Sequence, residues 1–221
     1  MATQRDDSLP DDVVMDETAR YSVHLAIGGQ PVLVVGGGAV ALRRARNLAV
    51  CGARVTVVAP DVVDELASLA GVTTERRRYE AGEATRYRFV VAATDDAELN
   101  RLVCSDAEGA GVWANEASQP GGGAAAIPAV LRHGPVVVSV GTGGASPGLA
   151  IWLRDQIAEL LGPEVAVLAE LVAEARQSAR EGTAQDARSD WRPPLDSGML
   201  ELIRHGRILE AKERLSACRL S

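Results

Sequence analysis

The segment from Pro31 to Ala59 limits what this 221-residue chain can fold into more than any other stretch. Pro31-Val32-Leu33-Val34-Val35 is an unbroken β-branched and aliphatic run, the pattern of a strand buried on both faces. Gly36-Gly37-Gly38 follows at once. From Ala39 to Cys51 the apolar residues Val40, Leu42, Ala45, Leu48 and Ala49 recur at helical spacing, and Gly52 is placed to stop the helix. Arg54-Val55-Thr56-Val57-Val58-Ala59 is a second buried strand. Strand, glycine turn, helix and strand within about thirty residues make a βαβ unit, so the two strands run parallel.

The alternation continues. A short helix is expected over Val62–Ala70, then a variable Arg-rich stretch through Arg78, a third strand over Arg88–Ala93, a helix over Ala97–Gly109 and a short strand over Gly111–Asn115. This order predicts an α/β fold with a Rossmann-like, doubly wound parallel sheet. After a Gly- and Pro-containing stretch from Glu116 to Ala126, apolar character returns at Ile127–Leu131. Val136–Val140 reads as a strand, Gly141–Pro147 as a glycine-rich turn and Gly148–Leu161 as a helix. Helical spacing recurs over Val165–Arg180 and Met199–Ala217, so the chain ends in a small helical module. The first twenty residues, with Asp6, Asp7, Asp11, Asp12, Asp16 and Glu17, read as a solvated acidic arm.

Composition narrows the function classes. A formal charge of -7 argues against nonspecific attraction to nucleic acid or an anionic membrane. The three cysteines, Cys51, Cys104 and Cys218, are far apart and lack C-x-x-C spacing, which argues against a disulfide framework or thiolate zinc site. His24, His133 and His205 show no ligand spacing either, so no permanent metal site is expected. No apolar stretch approaches the roughly 20 residues a spanning helix needs, and the N-terminus has no signal pattern; a cytoplasmic location is the expectation.

Gly36-Gly37-Gly38-Ala39-Val40-Ala41 satisfies G-x-G-x-x-A between a buried strand and a helix, the setting in which that pattern binds a dinucleotide. The first glycine permits the tight turn, the second lets the backbone approach a pyrophosphate, and the helix amides face its charge. The acid expected at the end of the second strand is absent: Val58-Ala59-Pro60 stands there and Asp61 follows, either reaching a ribose hydroxyl or starting the next helix. NAD and NADP are therefore not separated by this strand end. Thr94, Asp95 and Asp96 lie at the carboxyl end of another parallel strand, where they can meet ligand, cap the following helix, or both.

Four segments together resemble the precorrin-2 dehydrogenase family, which also supplies the N-terminal modules of siroheme synthases. They are Val34–Arg43, Gly52–Pro60, Ala92–Asp96 with Asn100, and Gly143–Pro147, and the resemblance extends over Tyr21–Leu161. It implies NAD-dependent oxidation of precorrin-2 to sirohydrochlorin, an intertwined homodimer and, in some members, insertion of ferrous iron. It also implies an organisation: an acidic arm over 1–20, an NAD-binding domain over 21–115, a dimerisation segment over 116–161 and the helical module over 162–221. The cofactor contacts implied are Gly36, Gly37, Gly38, Ala39, Val40, Pro60, Asp61, Thr94, Asp95, Asp96 and Asn115.

One departure bears on chemistry. Where the family carries Asn-Val-Val-Asp, with the aspartate assigned to catalysis, this chain has Asn115-Glu116-Ala117-Ser118. A lone serine is a poor base at neutral pH. Glu116, two residues earlier and of equal strand parity, is the nearest carboxylate, so Ser118 and Glu116 are the candidate catalytic residues; Glu116 is equally readable as surface charge. Cations for a polycarboxylate substrate are available at Arg43, Arg44, Arg101, Arg132 and His133, and Thr142 can contact an anion or shape its turn. Two other readings stay open: a noncatalytic homologue that binds nicotinamide nucleotide or tetrapyrrole, and a chelatase without redox chemistry.

Overall fold

The computed structural model describes residues 20–119, 122–180, 195 and 198–217. All but one residue of the expected acidic arm lies outside them. The chain divides into two compact units, Met1–Ala126 with Gly143–Ala145, and Ile127–Thr142 with Ser146–Ser221.

The first unit is built on a parallel sheet of β1 (Pro31–Val35), β2 (Arg54–Val58), β3 (Val72–Glu75), β4 (Phe89–Ala92) and β5 (Trp113–Glu116). Their order is β3-β2-β1-β4-β5, the doubly wound arrangement in which the strand order reverses between β1 and β4 while all strands stay parallel. Helices α1 (Ala39–Val50), α2 (Asp64–Ala67) and α3 (Ala97–Gly109) connect the strands, with a 3-10 turn at Glu83–Arg86. The aliphatic runs are buried as their composition requires: Val32, Leu33, Val34, Val57, Val90 and Val91 have no exposed surface. One core cluster joins Leu33, Val35, Val90 and Ala92 of the sheet to Val103, Cys104 and Ala107 of α3.

The register fixes the site. Val35 is level with Val58 and Ala92, and Ala92 is level with Glu116, so the carboxyl ends of four adjacent strands form one rim. Strand β3 is the element the Arg-rich stretch conceals. Val-Thr-Thr-Glu is too short and polar to announce a strand, and it becomes one by pairing with β2 from Val55↔Val72 to Val58↔Glu75. Arg77, just beyond it, pairs with Glu75 and with the buried Glu83 and anchors the following loop. Burial pushes the Glu83 carboxyl up, and the hydrogen bonds it accepts from Arg77 and from the Glu80 amide outweigh that to hold the group below its ordinary range.

In the second unit β6 (Ala129–His133) and β7 (Val136–Val140) form an antiparallel hairpin. Gly134 supplies the positive φ, 53°, at the first position of its two-residue loop. Helix α4 (Pro147–Leu160) packs on the hairpin, its N-terminus capped by the Ser146 hydroxyl. The expected Met199–Ala217 helix is two helices, α6 (Met199–Arg204) and α7 (Ile208–Ala217), which pack with α5 (Glu164–Arg180). The break falls at Gly206, φ 71°, and lets Met199, Leu202, Ile203, Ala211 and Leu215 share one core with Leu171.

Candidate functional site

The rim carries four connections, after β1, β2, β4 and β5. At the first, Gly36 has a φ of 126°, and a Cβ there would overlap the Ala93 carbonyl. A Cβ on Gly37 would overlap the Asp61 carbonyl, because the loop after β2 folds onto it through the Val63 N–H to Gly37 O bond of 3.0 Å. Gly38 differs: a Cβ there meets nothing within 4 Å, and Gly38, Ala39 and Val40 are exposed. Gly38 also heads α1 without any side-chain cap, so the first-turn amides of a twelve-residue helix face open space. That combination fits a diphosphate: donors pointing outward, and a backbone that a ligand can approach closely.

The loop after β2 places Pro60 and Asp61 at the surface. Asp61 does not cap α2, whose N-cap is Val63, and its carboxylate has no hydrogen-bond partner among the described residues. The helix-start reading of Asp61 is therefore not what the structure contains.

After β4 the three polar residues divide their work. Asp96 caps α3 by accepting from the amides of Glu98 at 2.9 Å and Leu99 at 3.1 Å. Asp95 is exposed. The Thr94 hydroxyl donates to Asn100 Oδ1 at 2.7 Å, and Asn100 Nδ2 donates back to the Thr94 carbonyl at 2.9 Å. Asn100 is wholly buried on the inner face of α3. Its second Nδ2 contact is the Ser118 hydroxyl, at 3.2 Å, and Ser118 in turn donates to Glu116 Oε1 at 3.2 Å. Ser118 and Glu116 are thus brought together, as strand parity allows, but they are not equivalent: Ser118 is exposed and Glu116 only 5% so. Glu116 also lines a groove of about 620 Å³ with Arg101, Cys104, Ser105 and Glu108. Burial, then the charges of Glu116 and Glu108, push the Cys104 thiol up to about 11.

Asn115 is buried one register step below the rim, with Nδ2 donating to the Ala125 carbonyl at 2.9 Å and Oδ1 without a partner among the described residues. Of the candidate cations in this unit, Arg43 and Arg101 are exposed. Arg44 is half-buried, its Nε without a partner among the described residues; burial, then the adjacent Arg43 charge, pull its guanidinium below the ordinary value. In the second unit Arg132 is exposed, His133 is half-buried with Nε2 lacking a partner among the described residues, and Thr142 Oγ1 donates to the Ser146 carbonyl at 3.0 Å. That last bond serves the turn before α4. Among the described residues no group of three or more His, Cys, Asp or Glu could hold a metal ion, and no helix is long and apolar enough to cross a membrane.

Asn100 is the residue whose role composition and spacing leave unread. The available signal is a polar side chain four positions after the Asp96 cap, on a face otherwise made of Leu99, Val103, Cys104 and Ala107.

Sheet order, glycine turn and uncapped helix define a dinucleotide-binding protein of the Rossmann type. Residues 23–129 match a family model described as putative NAD(P)-binding. The chain is 36% identical over 177 residues to siroheme synthase 2 of Aeromonas hydrophila, covering 79% of this chain and 38% of that protein. It is likewise 36% identical over 199 residues to a siroheme synthase of Pseudomonas putida, covering 88% and 43%. Among solved structures it is similar to SirC, a precorrin-2 dehydrogenase, with a TM-score of 0.70 and 25% identity over 91% of this chain and 100% of that one. The chain is similar to the siroheme synthases and to a precorrin-2 dehydrogenase, and it spans about two fifths of the length of the siroheme synthases it matches.

Proposed function

We propose that this chain oxidises precorrin-2 to sirohydrochlorin with NAD. The observation that carries the reading is the open cradle at Gly38, facing uncapped amides of α1, in a chain similar to a precorrin-2 dehydrogenase along that protein's whole length. When bound, NAD accepts a hydride from the substrate. The chain's own residues do the rest. The amides of Gly38, Ala39 and Val40 hold the diphosphate, Gly36 and Gly37 fix the shape of the turn, and Pro60, Asp61, Thr94, Asp95, Asp96 and Asn115 border the remaining nucleotide surface. Asp61, with no hydrogen-bond partner among the described residues, can accept from a ribose hydroxyl and repels a 2′-phosphate, which favours NAD over NADP. Arg43, Arg44 and Arg101 supply cations for the substrate carboxylates.

The exposed apolar side chains of α4, Leu149, Ile151 and Trp152, support the homodimer, with α4 and its hairpin as the dimerisation segment. Ferrous ion is a candidate second substrate, and the cytoplasm is the compartment that fits three cysteines without disulfide spacing.

Incubating the chain with precorrin-2 and NAD is expected to produce sirohydrochlorin and NADH in equal amounts. Tight NAD binding without NADH formation removes the dehydrogenase reading and selects a binding role, for which the absence of an aspartate at position 118 is the specific argument. Adding ferrous ion afterwards reports insertion separately.

A further inference from the structure

We infer that the proton released in this oxidation leaves through a relay from Ser118 to Glu116, held in line by Asn100. The inference rests on the dehydrogenase reading and deepens it, because oxidation of the macrocycle sends two electrons and one hydrogen to NAD and leaves one proton to be accepted. A serine alone cannot do this at neutral pH, and a buried carboxylate alone cannot reach the substrate.

The three side chains solve the problem together. Asn100 Nδ2 donates to Ser118 Oγ and Ser118 Oγ donates to Glu116 Oε1, each at 3.2 Å, so the hydroxyl proton already points at the carboxylate. Asn100 cannot turn over, because Thr94 donates to its Oδ1 through both hydroxyl and amide and accepts from its Nδ2 at the carbonyl. With one bond accepted and one donated, Ser118 Oγ keeps a further lone pair, at an exposed residue just past the end of β5. A substrate proton binds Ser118 Oγ as the serine's own proton passes to Glu116 Oε1; the serine ends neutral and Glu116 ends protonated. Glu116 borders the groove beside Cys104 and Ser105, which gives the proton a way back to solvent. The carboxylate that the family keeps at position 118 is thus set one side chain deeper, with a hydroxyl bridging the difference. Asn100 is a positioning residue.

Four variants test the relay against wild type, with NAD binding followed by calorimetry. Glu116→Gln keeps the shape and the acceptor oxygen but cannot take a proton; NADH formation from precorrin-2 is expected to fall about 100-fold or more with NAD affinity unchanged. Ser118→Ala is expected to fall equally, and the double variant no further, because the two act as one unit. Glu116→Gln with Ser118→Asp is expected to recover to within about tenfold of wild type, since a carboxylate then meets the substrate directly. Wild-type turnover in either single variant, or losses that multiply in the double, overturns the relay while leaving the dehydrogenase reading intact. No NADH from the wild-type chain removes both.

A second readout needs no turnover. In a chain with Cys51 and Cys218 replaced by serine, the Cys104 thiol is held up first by burial and then by the charge of Glu116, so Glu116→Gln is expected to lower its titration point in part. An unmoved Cys104 means that Glu116 is not the ionised acceptor the relay requires. Should Glu116→Gln fail to fold, the exposed Ser118→Ala carries the kinetic test.

Discussion

Three consecutive glycines look alike in sequence and do three different things. Gly36 is required by its φ and by the Ala93 carbonyl, and Gly37 by the Asp61 carbonyl, whereas Gly38 has an ordinary φ of -90° and empty space in front of it. Gly37→Ala is therefore expected to destabilise the fold by more than about 2 kcal/mol in urea unfolding, since the obstacle is backbone. Gly38→Ala is expected to leave stability within about 0.5 kcal/mol and to weaken NAD binding about tenfold or more by calorimetry, because its methyl occupies the ligand's space. Equal effects of the two substitutions on stability contradict that division. The motif announces a nucleotide turn; which glycine serves the fold and which the ligand depends on Asp61 and Ala93, residues brought there by other strands.

Among the elements, those with strong local preference were legible. The runs of β1, β2 and β4 are aliphatic because both faces are covered, and α1 and α3 carry the spacing of one buried face. Element β3 was not legible, because its four residues acquire strand geometry only from β2. The apolar spacing over Met199–Ala217 runs on and predicts one helix, whereas a single glycine, Gly206, divides it into two. Helix α3 links stability to the site, since its cap, Asp96, and its inward Asn100 both lie beside Thr94. Asp96→Ala frees two amides at the helix start and is expected to cost about 1–2 kcal/mol, read from the denaturant midpoint. Asp96→Asn, which keeps an acceptor, is expected to recover most of the loss; equal losses for the two substitutions point to charge rather than capping.

For the molecule as a whole, α4 and its hairpin matter most. Leu149, Ile151 and Trp152 are each 45–56% exposed, while Ala150 is the buried residue of the helix. Trp152→Glu is expected to convert the proposed dimer to a monomer in analytical ultracentrifugation, and an unchanged sedimentation coefficient assigns that surface another role. The two structural units divide after Ala126, so the hairpin, α4 and the terminal helices form one body with an interruption at Gly143–Ala145. The sequence by itself determined the parallel α/β class, the glycine turn and the polar residues after β4, because each depends on contiguous residues whose burial period or backbone freedom is local. Only tertiary structure decided that Glu116 is buried behind Ser118, that Asn100 joins them to Thr94, and that α1 opens on empty space. Those facts depend on the register of β4 against β5 and the seating of α3, which place residues distant in the chain within hydrogen-bond reach.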